Sequence, residues 1–318
     1  MHQVVPAIAC GCPVIVKPAE NTPLCCKRFV ELVEQSGLPK GWCQFCLTDP
    51  DSRTKLVADE RIAFLTFIGS ARVGWELRRK IANGTRCALE HGGAAPVIVE
   101  PDADLDKTIP LISKAAYYHA GQVCVSVQRI FVHADIVDQF IARLSDQVNS
   151  LTTGDPTSPD TDVGPLIRPG EVNRVEQWVN EALSEGAELI TGGKKLDDHY
   201  YAPTLLLNPS QHSKVSTQEI FGPVACICTY QDMKEAINIA NSLPFAFQSA
   251  VFTRNIDGAL QAAKHFDAAA VMINDHTAFR VDWMPFAGRR QSGLGVGGIA
   301  YTMHDFTQEK LIVISSAS

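Results

Sequence analysis

The sequence predicts an α/β fold of mostly parallel sheets flanked by helices, and three observations carry that expectation. Short runs rich in β-branched residues alternate with helix-length amphipathic segments along most of the chain. The 318 residues are 46% hydrophobic and 20% charged, a balance that supports globular cores in more than one domain. No internal repeat and no low-complexity tract breaks the alternation. In sheets of this kind, ligands bind beyond the carboxyl ends of the strands.

The series opens with a strand at Val14, Ile15 and Val16, then a helix over residues 24–35 that Gly37 and Pro39 end. Residues 62–67 read as a strand leading into a helix over 70–82, and residues 85–89 as a further strand. The same rhythm pairs strand 96–99 with helix 105–119, and strand 128–132 with helix 136–148. Residues 151–169 are rich in Thr, Gly, Asp, Ser and Pro and read as a polar loop, after which a helix over 172–183 restores the pattern. A second series follows, with strands at 224–230, 249–253 and 270–273 and helices over 233–240 and 256–265. Residues 311–314, Leu-Ile-Val-Ile, read as a strand that pairs with another part of the protein or another subunit.

Charge and composition exclude several classes. With 28 basic against 35 acidic residues the net charge is -7, which gives no basic face for nucleic acid. The longest nearly apolar run, residues 4–16, is broken by Pro6 and Pro13 and has no basic residue before it, so neither a membrane span nor a secretory signal is expected. Cytoplasmic localisation follows as the expectation, and with it ten free thiols rather than disulfides. Cys43 and Cys46 form one CxxC without a second pair, so no metal site is expected. Cys10, Cys12, Cys25, Cys26, Cys87, Cys226 and Cys228 sit among apolar neighbours and read as small core residues.

Several stretches could carry chemistry, each with a bland alternative. Gly293, Gly295 and Gly298 spell G-x-G-x-x-G, but no strand precedes them, and they read as a mobile loop close to the site. Gly69 and Ser70 open a helix after a strand, where Ser70 can cap while free amides meet an anion; most such starts are only caps. Lys17 and Glu20 follow strand 14–16 at its ligand-binding end, and are otherwise exposed loop charges. Glu90 ends a strand beside Gly92 and Gly93, as a general base if desolvated or an ordinary carboxylate if not. Cys124 follows Gly121 and Gln122 on a turn, where it is expected to be accessible unlike the other nine cysteines: a nucleophile, or a structural thiol.

In order along the chain stand Lys17-Pro18-Ala19-Glu20, Phe67-Ile68-Gly69-Ser70 with Gly74, Leu89-Glu90-His91-Gly92-Gly93, Gly121-Gln122-Val123-Cys124, Glu219-Ile220-Phe221-Gly222-Pro223 and Pro285-Phe286-Ala287-Gly288. With Cys124 34 positions after Glu90, this series resembles the aldehyde dehydrogenase superfamily across practically the whole chain. The resemblance implies two open, mostly parallel sheets. They would form an incomplete cofactor domain over 1–92, a catalytic domain over 93–300 and a tail with an oligomerisation strand over 301–318. It also implies NAD-dependent oxidation of an aldehyde to a carboxylic acid through a cysteine thiohemiacetal and thioester, in a homodimer or homotetramer.

By the same resemblance Cys124 is the nucleophile and Glu90 the base for deacylation. Lys17 and Glu20 meet the adenosine ribose, and Gly69, Ser70 and Gly74 lie beside the pyrophosphate. Glu219 and Phe221 serve the nicotinamide ribose and ring. A carboxylate at Glu20 accepts from ribose hydroxyls and repels a 2′-phosphate, so NAD is expected over NADP. The run from Asn274 to Trp283 looks like members acting on small anionic aldehydes, with Arg280 as a bidentate donor or a salt-bridge partner of Asp282, and Phe286 beside it.

Two departures bear on these expectations. Family members carry further chain ahead of this point, with an Asn that donates to the oxyanion, so an inactive fragment or oligomer partner is the alternative expectation. His91 stands where an apolar residue is usual, its ring expected to point away from Glu90. A third reading, a thiol hydrolase, needs a histidine base, and His119 is the nearest to Cys124 in sequence.

Overall fold

In the computed structural model, which describes residues 2–316, a seven-stranded sheet forms the centre of the molecule. Its order is Ala270–Ile273, Gln248–Phe252, Ala95–Val99, Val127–His133, Val224–Tyr230, Thr204–Leu207 and Glu188–Thr191. All neighbours are parallel except the last pair. Strands covered by helices on both faces must be apolar throughout, and Ile130, Val132, Ala225, Ile227, Ala250 and Val251 are fully buried. The helices Leu105–Tyr117, Val137–Asn149 and Pro169–Ser184 fill one side with Ile112, Phe140, Leu144, Val175 and Val179. Met233–Asn241 and Ile256–His265 cover the other with Ile237 and Ala262, and their N-caps Asp232 and Asn255 accept from first-turn amides.

The expected second open sheet is divided. Val14–Val16 pairs in parallel with Cys43–Phe45, while Phe64–Ile68 pairs in parallel with Arg86–Glu90, and no described strand joins the two pieces. Gly293–Leu294 adds antiparallel to Leu89 and Glu90, so the glycine-rich stretch read as a mobile loop is in part an edge strand fixed to Glu90's own strand.

Other expectations shift with context. Residues 311–314 form no strand: their side chains are 71–88% exposed, and a strand needs a hydrogen-bonding neighbour that the single chain does not provide there. Helices Val4–Ala9, Pro50–Val57 and Ile299–Asp305 carry too few turns for a legible period. Val4–Ala9 packs on Ile299–Asp305, and the Cys10 and Cys12 thiols reach the carbonyls of Met303 and Phe306. Among the thiols read as core, Cys25 is exposed, on the outward face of helix Pro23–Glu34. No described helix is long and apolar enough to cross a membrane.

Candidate active site

Helix Leu105–Tyr117 breaks into a turn, Tyr118–Gly121, in which His119, Ala120 and Gly121 have φ of +51°, +56° and +69°. For the two non-glycine residues such a conformation costs about 1–3 kcal/mol each and persists only where the surroundings enforce it. Here they do. Gln122 donates to the carbonyls of His119 and Pro165 and accepts from the amide of Ile167, and Ser126 donates to the carbonyls of Ala115 and Ala116. A Cβ at Gly121 would fall 2.1 Å from the Gly222 carbonyl oxygen, so only glycine lets this turn meet the loop that follows Glu219.

The turn delivers Cys124 to an apolar pocket of Val125, Phe247, Phe286 and Ala278. The expected accessible thiol is thus half-buried, and Cys25 is the more exposed one. Burial pushes the Cys124 thiol up to about 12; the charges of Glu219 and Glu90 add to the rise, and Arg280 opposes it. The charges of Glu90, Glu219 and Arg280 are thus all felt at Cys124.

Glu90 ends its strand at 8% exposure. Its Oε1 lies 3.3 Å from His2 Nε2 and 3.4 Å from Gln3 Nε2. A Cβ at Gly297 would fall 2.9 Å from the same oxygen, so the stretch after the edge strand has a reason to carry glycine there. Glu219 sits against the bare backbone of Gly92, where a Cβ would fall 1.5 Å from its Oε1, and that oxygen has no hydrogen-bond partner. Burial raises its carboxyl to about 7, with the Gly93 amide and Arg174 holding it lower than burial alone would. Phe221, with φ of +48°, is 41% exposed.

Arg280 lies with its guanidinium 4.1 Å from the centroid of the Phe286 ring, and both terminal nitrogens are buried without a hydrogen-bond partner. Among the described residues it forms no ion pair, so the alternative of a bridge to Asp282 is not what the structure contains. Thr277 holds this segment to the residue after Cys124 by donating to the Val125 carbonyl at 2.6 Å.

On the small sheets, Gly69 has φ of +156°, and a Cβ there would fall 2.7 Å from the Phe67 ring. Ser70 occupies the N-cap position of helix Ala71–Arg78, but its hydroxyl makes no capping bond, so that half of the expectation fails. The start of the helix is left with bare backbone and unsatisfied first-turn amides, features that fit a phosphate group. Gly74 packs directly on His91. Lys17 and Glu20 pair with each other near the end of strand Val14–Val16, and Lys17 holds the Glu20 carboxyl below its usual range.

Some supporting residues escaped sequence reasoning. Gln128 donates to the carbonyls of Val215 and Gln218 and accepts from the Ile220 amide, and Arg174 donates to the Ile220 carbonyl, which together hold the Glu219 loop. Buried Arg129 donates to the carbonyls of Ala94, Ile239 and Ala240, tying the sheet to the segment after Gly93. All are contacts between distant segments, and no local pattern signals them. His119 is exposed with its ring on Tyr118, and no described hydrogen bond links it to Cys124.

Comparison with known proteins completes the description. The profile described as "Aldehyde dehydrogenase family" matches residues 1–312. A 3-sulfolactaldehyde dehydrogenase of Priestia megaterium is 41% identical over 315 residues, covering 99% of this chain and 66% of the relative. The chain thus spans about two thirds of the length of the curated relatives it matches. A glyceraldehyde-3-phosphate dehydrogenase of Methanocaldococcus jannaschii, solved in complex with NADP, superposes with a TM-score of 0.95 at 35% identity, over 99% of this chain and 69% of that one. Aldehyde dehydrogenase 21 of Physcomitrella patens, solved with the reaction product succinate, gives 0.93 at 35% identity, over 96% and 63%.

Proposed function

Because the chain belongs to the aldehyde dehydrogenase family, we propose that it oxidises a small anionic aldehyde to the carboxylic acid, with NAD as acceptor. Residues 1–92 hold the dinucleotide, 93–300 carry the chemistry and 301–318 form the tail, whose exposed apolar side chains suit a homodimer or homotetramer in which it gains a strand partner. The observation that carries the substrate reading is Arg280. A buried guanidinium with two unpartnered nitrogens is costly unless an anion completes it, and a carboxylate or sulfonate oxygen pair matches its fork.

As sulfur bonds to the aldehyde carbon, the proton of the Cys124 thiol passes to the aldehyde oxygen, because a thiol near 12 is protonated at neutral pH. The adduct keeps one C–H bond, and its loss as hydride, with the hydroxyl proton released to solvent, leaves a thioester. When bound, the dinucleotide is the two-electron acceptor. Glu90 then takes a proton from water as the water oxygen adds to the thioester carbon, and when the C–S bond breaks that proton passes to the sulfur, which restores the thiol. Glu219, against Gly92 and beside Cys124, orients the ring end of the dinucleotide, while Gly69, Ser70 and Gly74 receive its phosphates and Lys17 and Glu20 its adenosine ribose. The Glu20 carboxylate favours NAD, and NADP use at equal efficiency would contradict that choice.

Single-turnover formation of NADH, with the chain in excess over an aldehyde carrying a carboxylate or sulfonate, tests the reading. A burst that Cys124→Ala abolishes supports it. A folded chain that gives no burst contradicts it.

A further inference from the structure

His91 is the residue that departs from the resemblance, and its ring is turned away from Glu90 to the underside of the Gly69 turn. Its Nδ1 lies 2.9 Å from the Gly69 carbonyl oxygen. Since a carbonyl only accepts, Nδ1 carries the proton and donates. The ring is buried, edge-on to Trp75 at 5.7 Å between centroids and tilted against Phe67 at 6.0 Å. It fills the space that Gly74 leaves open, where a Cβ would fall 1.9 Å from its Cε1, and its Nε2 has no partner. The Gly69 amide in turn donates to the Glu90 carbonyl at 3.1 Å, and the His91 amide to the Ser292 carbonyl at 3.0 Å. The turn is held at both its N–H and its C=O by consecutive residues of one strand end.

Peptide planarity gives this clamp a direction. In a trans peptide the C=O of Gly69 and the N–H of Ser70 point in opposite directions, and no peptide in the described chain is cis. Fixing the carbonyl inward on His91 therefore aims the Ser70 amide outward, at the start of helix Ala71–Arg78. The Ser70 hydroxyl does not cap that helix, so the backbone amides are what an anion would meet.

We propose that His91 is a positioning residue for the dinucleotide: by donating from Nδ1 to the Gly69 carbonyl, it orients the Gly69–Ser70 peptide so that the Ser70 amide faces the pyrophosphate. This rests on the cofactor reading above. An apolar side chain of similar size fills the same space and supplies no donor, which leaves the peptide free to rotate. The same clamp joins the cofactor turn to the strand that ends at Glu90, so both are set by one segment.

The test compares NADH and adenosine binding by the full chain, His91→Leu and His91→Asn, since the asparagine amide can donate from nearly the position of Nδ1. His91→Leu should weaken NADH about tenfold, the size of one lost oriented hydrogen bond, and adenosine, which has no phosphate, by less than about twofold. His91→Asn should recover most of the NADH loss. Equal weakening of both ligands, or no rescue by asparagine, would overturn the proposal. Failure of the unaltered chain to bind NADH would overturn the cofactor reading as well, and is distinguishable from either result. Nitrogen NMR of the unaltered chain needs no variant: a proton on Nδ1 supports the clamp, and the Nε2–H tautomer contradicts it.

Discussion

The seven-stranded sheet and the two small sheets before it use similar residues to different ends. In the large sheet, Val127–His133 and Gln248–Phe252 are buried almost end to end, and Phe140 and Leu144 beneath them are fully enclosed. In the small sheets, Val14–Val16 and Phe64–Ile68 are only half-buried, with Ile15 and Ile68 exposed and Leu24 on the neighbouring helix 75% exposed. Cys124 and its strained turn rest on the first region, and the Gly69 turn proposed to receive the cofactor on the second. Geometry that must not move is built where packing is dense, and a ligand-binding turn where backbone is cheaper to rearrange. Glu90 and His91 stand at the join, one side chain facing Cys124's pocket and the other the cradle.

The largest effect that would sharpen this contrast is chemical. Cys124→Ala should lower single-turnover oxidation by at least about four orders of magnitude, while Cys25→Ala, at the exposed thiol of the first part, should change it less than about twofold. Comparable losses would erase the division. In stability, Phe140→Ala should cost about 3–5 kcal/mol by denaturant unfolding and Leu24→Ala less than about 0.5. Similar costs would mean that the two regions are equally well packed. Arg280→Ala should raise KM for an anionic aldehyde about 10–100-fold and that for a neutral aldehyde of the same size less than about threefold, so equal effects would remove the substrate reading.

The smallest effect concerns pH. Glu219 has its carboxyl raised from 4.5 to about 7 by burial, so between those values the folded chain keeps a proton that the unfolded chain has lost. The sign follows: stability from this group is present at low pH and falls as pH rises through that window. Glu219→Gln should flatten the slope in an unfolding series across it. An unchanged slope would show that Glu219 is ionised in the folded chain.

Much of this was legible in local pattern. Five of the seven strands of the large sheet and the main helices between them follow from period and composition, because their apolar runs are nearly unbroken, whereas Thr204–Leu207 and the exposed edge strand Glu188–Thr191 give no such signal. The motif residues Glu90 and Glu219 lie near enough to Cys124 for their charges to act on its thiol. What could not be read depends on distance along the chain: the grip of Gln128 and Arg174 on the Glu219 loop, or the reach of His2 and Gln3 to Glu90. The accessible Cys124 and the capping Ser70 failed for a related reason, since burial and side-chain rotamer are settled by neighbours that local sequence does not name. Residues 311–314 show the converse: their composition suits a strand, and the single chain lacks the partner that would make them one.

The central claim is that Cys124 carries the acyl group and Glu90 releases it. Mass analysis of Glu90→Gln mixed with NAD and an anionic aldehyde tests this most directly. The account predicts a thioester-sized increment on the Cys124 peptide that persists in the variant and turns over in the unaltered chain. An increment on Cys25, or none on any cysteine while NADH forms, would contradict it.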